Sequence, residues 1–137
     1  MTHMHPGQLT LIAGWPDTAQ HHFGAMRALF LDVAAQADIG PLEESLKWGQ
    51  PAWRPRKPRT GSTLRLDWSR AAPDRLMAYV DCKTDLADQM AARFPCAFHN
   101  DGRRSLGFDL DTDLPTDAVR QLAHLTFTYH LTKRQTA

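Results

Sequence analysis

The sequence predicts an α+β fold: a two-layer sandwich in which an antiparallel sheet of about five strands carries the N- and C-terminal helices on one face. Three observations support this. Short segments around residues 63–68, 76–81 and 105–110 alternate apolar and polar side chains with the two-residue period of a half-buried strand. Longer segments near the two ends of the chain repeat apolar residues at helical spacing. Each strand keeps one polar face, which marks a sheet covered on a single side, whereas parallel strands covered on both sides read as continuous apolar runs. The expected order is α-(α)-β-β-β-α-β-β-α.

Residues 1–15 read as an N-terminal extension, 16–134 as a single domain and 135–137 as a C-terminal tail. From about Pro16 to Ala37 the apolar side chains of Phe23, Met26, Phe30, Val33, Ala34 and Ala37 fall on one helical face. Gly40-Pro41 closes the linker behind that helix. The stretch "PLEESLKW" then reads as a short second helix, with proline in its first turn and Glu43 and Glu44 near the positive end of its dipole. Pro51 forces Gln50 out of helical dihedrals, so the chain turns at Gly49-Gln50. "RPRKPRTG" is a loop of prolines and cations.

In the first alternating segment Leu64, Leu66 and Trp68 point one way and Thr63, Arg65 and Asp67 the other. In the second, Leu76, Ala78 and Val80 oppose Met77, Tyr79 and Asp81. In the third, Leu106, Phe108 and Leu110 point inward. Thr84 is positioned to cap a helix running to about Phe94, where Pro95 stops it. Asn100-Asp101-Gly102 signals a hairpin turn. The last helix starts near Pro115-Thr116 and is expected to bury Ala118, Leu122, Leu125 and Tyr129.

At 137 residues, with 42% hydrophobic and 23% charged residues and a formal charge of +1, the chain has the composition of one globular domain. That balance gives no general attraction to nucleic acid or anionic membrane, and neither is expected as a partner. No apolar run approaches the roughly 20 residues of a membrane span, and the N-terminus lacks the pattern of a signal peptide, so a cytoplasmic location is expected. Cys82 and Cys96 form no CxxC pair and read as incidental or structural thiols.

The motifs of common chemistries fail on spacing. His21-His22 are adjacent and His124 and His130 sit six apart, so no zinc set forms. Asp109, Asp111 and Asp113 imitate the start of a calcium loop. Its sixth position is Leu114 instead of glycine, however, and its twelfth is Arg120 instead of glutamate. There is no GxSxG and no glycine-rich phosphate loop. In Asp81-Cys82-Lys83, neighbouring strand residues face opposite ways, which places Lys83 across the sheet from the thiol. No catalytic residue, metal or cofactor is therefore expected. The cations Arg54, Arg56, Lys57 and Arg59 read as a solvated loop.

What remains is the open sheet face. Arg65, Asp67 and Tyr79 project from it, with Trp48, Gln50 and Trp53 at one end, where aromatic rings beside polar groups suit a small ligand or a protein partner. Trp48 is expected to pack between the first helix and the sheet, leaving Trp53 at the rim. His130, near the end of the last helix, is a further candidate. Phe127 and Leu131, four apart and opposite the expected apolar stripe, read as an exposed pair suited to a homodimer contact.

The segments "LKWGQPAW", "GSTLRLDW", "APDRLMAYVDCKT" and "LTFTYH", in this order, resemble the YdhG-like family, a domain family of unknown function. The resemblance runs from about Phe23 to Lys133. It implies an α+β fold distantly similar to frataxin and, by one branch of the family, an alternative role as an intracellular iron chaperone. Iron sites of that kind use clustered carboxylates. Here the first long helix offers Asp17 and Asp32, with Asp38 behind it, and the three do not share a face. The expected function is a non-enzymatic binding domain acting through its open sheet face.

Overall fold

The computed structural model describes residues 4–100 and 104–136. Among them, six strands form one antiparallel sheet, one strand more than expected, in the order β1-β2-β3-β4-β6-β5. The strands are β1 (Leu42–Lys47), β2 (Gln50–Pro55), β3 (Leu64–Asp67), β4 (Arg75–Tyr79), β5 (His99–Asn100) and β6 (Ser105–Asp109). Helices α1 (Pro6–Ile12), α2 (Asp17–Gln36), α3 (Leu86–Arg93), α4 (Thr116–Phe127) and α5 (Tyr129–Thr136) complete the described chain. None of these helices is long and apolar enough to cross a membrane.

The three alternating segments are β3, β4 and β6, and α2 carries the predicted stripe, burying Phe23, Met26, Phe30, Val33 and Ala34. α2 and α4 lie side by side against the sheet, joined at their outer edge by a 2.8 Å ion pair between Arg120 and Asp32. Between helices and sheet, Trp53 packs against Phe30 and Phe23 at ring separations of 5.1 and 5.6 Å, and Phe30 in turn meets Phe127 edge-on. Among the described residues, the other face of the sheet carries no helix layer, in agreement with the one-sided alternation expected of the strands.

Four local expectations are corrected. "LEESLK" is strand β1, paired along its length with β2. Leu42, Glu44 and Leu46 share a strand face, and Glu44 accepts hydrogen bonds from Arg27 of α2 (2.6 and 3.1 Å) and from the indole of Trp53 (2.8 Å). A carboxylate held by two inward partners takes the place of an apolar residue, so the alternation of a strand is lost and the apolar spacing imitates a helix.

The roles of the two tryptophans are reversed: Trp53 is fully buried, whereas Trp48 is 88% exposed. Trp48 and Gly49 are the two central residues of the β1–β2 hairpin, with φ of 57° and 73°. Positive φ at both positions is the signature of a type I′ turn, whose twist matches that of the strands it joins. The parity of β2 then directs Trp53 inward.

The last helix is broken. α4 ends at Phe127, and its buried stripe is Ala118, Val119, Leu122, Ala123, Thr126 and Phe127. Leu125 and Tyr129 are only partly buried, packed at the margin of the core. The loop at residues 60–62 causes the break: Ser62 N donates to Thr126 O (2.8 Å), while Thr60 O accepts from His130 N and Leu131 N. These bonds satisfy backbone groups that a helix junction leaves open.

The fourth correction follows from the third. Phe127 faces the core and Leu131 packs partly buried against it, so the expected exposed pair is not on the surface.

The stretch expected to be an extension contains α1, which lies on β1. Its buried Gln8 donates to the carbonyls of Ser45 (3.0 Å) and Ala52 (3.3 Å). α3 begins after Asp85, with the Thr84 hydroxyl accepting from Leu86 N at 3.5 Å, one residue from the expected cap. β5 and β6 pair antiparallel as the hairpin signal predicts, and the Asp101-Gly102 part of that turn lies outside the described residues. Both cysteines are free and exposed.

Candidate functional site

Strand register sets the floor of the site. One cross-strand row on the open face runs Ser45, Ala52, Arg65, Tyr79 and Ser105. Two large side chains, Arg65 and Tyr79, are thus flanked on both sides by small ones. Beyond this row stand Lys47 and Trp48 of the β1–β2 hairpin on one side, and Val80, Asp81 and Cys82 after β4 with Arg104 on the other. The result is an open depression of about 720 Å³. Lys47, Trp48, Gln50, Arg65 and Tyr79 line it from the hairpin and the sheet centre, and Thr63, Val80, Asp81, Cys82 and Arg104 complete its wall.

Arg65 is held before any ligand arrives. Its Nη1 donates to Gln50 Oε1 (2.9 Å), and Gln50 Nε2 donates to Asp67 Oδ2 (3.4 Å). Its guanidinium carbon lies 5.5 Å from the centre of the Tyr79 ring, within range of a cation–π contact. Among the described residues, no carboxylate lies within ion-pair distance of Arg65. The charge is therefore positioned by neutral partners and not neutralised. Burial pushes the Asp67 carboxyl above its ordinary value, partly countered by the hydrogen bonds from Gln50 and from the backbone of Trp68.

Of the seven residues expected to bind ligand, Trp48, Gln50, Arg65 and Tyr79 converge on this depression, and Asp67 braces them through Gln50. Trp53 lies on the far side of the sheet, in the core. His130 is elsewhere, in a separate shallow concavity of about 320 Å³ with Arg59, Lys133 and Arg134. Lys47 and Arg104 were missed. The helix expected over "PLEESLKW" gives Lys47 no strand face, and Arg104 stands just before the first alternating residue of β6, where the period gives no direction for its side chain. A polar residue at the edge of an alternating run is the signal that would have found it.

Other candidate clusters are already satisfied. Asp109 is bound to His99 (2.9 Å) and lies 3.9 Å from Arg75, and Asp32 pairs with Arg120. Among the described residues, no group of three or more His, Cys, Asp or Glu side chains could hold a metal ion. No family model, no curated protein and no solved structure matches the chain. The fold and the depression are therefore the basis for reading its function.

Proposed function

We propose that this chain is a binding domain that holds a small molecule on its open sheet face, in the depression between Trp48, Gln50, Arg65 and Tyr79. The observation that carries this reading is the unneutralised guanidinium of Arg65, fixed by Gln50 and resting on Tyr79 at the floor of a ligand-sized concavity. Protein sites for small molecules combine apolar or aromatic walls with a few polar groups set in advance, because a group already in place loses less entropy on binding. The polar groups here are donors and charges suited to holding a molecule. The YdhG-like resemblance and a cytoplasmic location belong to the same reading. The frataxin-like iron role has no carboxylate cluster among the described residues to favour it.

The test is a fragment screen followed by amide and side-chain NMR. The reading predicts that ligands shift the signals of Gln50, Arg65 and Tyr79, and that the Arg65→Ala/Tyr79→Ala double variant loses those shifts while keeping a cooperative melt. Hits that cluster only on other surfaces, or a screen without hits, would refute it.

A further inference from the structure

We infer that the depression selects a specific chemical class: an anion, carboxylate or phosphate, carried on a flat aromatic body. This rests on the binding reading above and adds the charge and shape of the ligand.

The charge argument comes from the lining. Among the described residues that line it, Lys47, Arg65 and Arg104 face one carboxylate, Asp81, an excess of positive charge in a chain that carries only +1 overall. Asp67, the other nearby acid, turns toward Gln50 and holds Arg65 at one remove. Gln50 engages only one end of the guanidinium fork, so its remaining N–H groups can bind two oxygens of a carboxylate or phosphate side by side.

The shape argument comes from Trp48. The residue is 88% exposed at a position where φ is +57°, a conformation that disfavours any bulky L-residue. Asparagine or glycine would make this turn with less strain and would not leave a large apolar ring in water. The ring's value therefore lies in what it covers. With Trp48 at the rim and Tyr79 on the floor beneath the Arg65 guanidinium, the lining sets an exposed indole beside the cation that would meet the acidic head of a planar molecule.

The experiment uses four probes on the full chain: benzoate, phenyl phosphate, benzamide and acetate. Affinity is read from the NMR signals of Arg65, Tyr79 and the Trp48 indole. Protection of Cys82 from alkylation is followed in parallel, with exposed Cys96, outside the depression, as the internal control. Benzoate or phenyl phosphate, or both, should bind at the depression and slow Cys82 labelling while leaving Cys96 unchanged. A preference between these two identifies the acid. Benzamide, which lacks the charge, and acetate, which lacks the ring, should each bind about tenfold more weakly or not at all.

Arg65→Gln should weaken the aromatic acids about tenfold, bringing them down to the affinity of benzamide. Trp48→Asn should weaken every aromatic probe while melting at or above the temperature of the parent, which separates loss of the ring from loss of the fold. Benzamide binding as tightly as benzoate would overturn the inference on charge and leave the binding-site reading intact. Acetate binding as tightly as benzoate would overturn the inference on shape. If neither aromatic acid binds up to its solubility limit, the inference as a whole fails, whereas the binding-site reading is judged by the fragment screen.

Discussion

Asp67 illustrates how a single side chain supports a site it does not line. Its carboxylate accepts from Gln50, which accepts from Arg65, so the acid orients the cation through a neutral intermediary and leaves the charge available. Partial burial is the cost, and it raises the Asp67 pKa above the ordinary 3.8. For a carboxyl raised on folding, the stability contribution is present below 3.8 and is lost as pH rises through the folded-state value. Asp67→Asn is neutral at every pH and escapes that loss. In urea unfolding across a pH series, the variant should gain on the parent as pH rises above 3.8; a constant or shrinking difference would contradict the assignment. Trp48 is the opposite kind of residue, exposed and held in a disfavoured conformation, and its position could be read only once the turn was recognised.

Among the elements, legibility followed periodicity. β3, β4 and β6 are readable because Leu64 and Leu66, Leu76 and Ala78, and Leu106 and Phe108 recur every second residue, although Met77 and Gly107 interrupt the polar character of the opposite face. β1 was not, since Glu44 occupies an inward position and is satisfied there by Arg27 and Trp53, partners that are distant in sequence. This one misread strand also displaced Trp48, Trp53 and Lys47, because a hairpin at Trp48-Gly49 fixes the parity of everything after it. The end of α4 was obscured for a related reason: the stripe was extended across a break that is set by the loop at Gly61. That glycine lies against the backbone of Phe127, and a Cβ placed there would come within 2.1 Å of the Phe127 carbonyl oxygen. Backbone at a helix junction cannot yield as a flexible side chain does, so Gly61→Ala should lower stability by about 1–3 kcal/mol, measured by urea unfolding. A change indistinguishable from zero would mean that the loop does not hold the junction.

At the scale of the molecule, the sandwich is asymmetric. Aromatic residues from α2, β2 and α4 fill one side of the sheet, while the other side presents Arg65 and Tyr79 between small neighbours. The fold class was legible in the sequence, as were Gln50, Arg65 and Tyr79 among the residues that line the depression. The height of its rim was not, because that depends on a turn type and on side chains just outside the alternating runs. Binding and ligand selection both require that this face be reachable by solutes and that the two tryptophans of the β1–β2 hairpin lie on opposite sides of the sheet. Paramagnetic broadening by a neutral, water-soluble relaxation agent tests this most directly. The architecture predicts that the Trp48 indole and Arg65 side-chain N–H signals broaden strongly while the Trp53 indole signal stays sharp. A protected Arg65, or a Trp53 that broadens with Trp48, would contradict it.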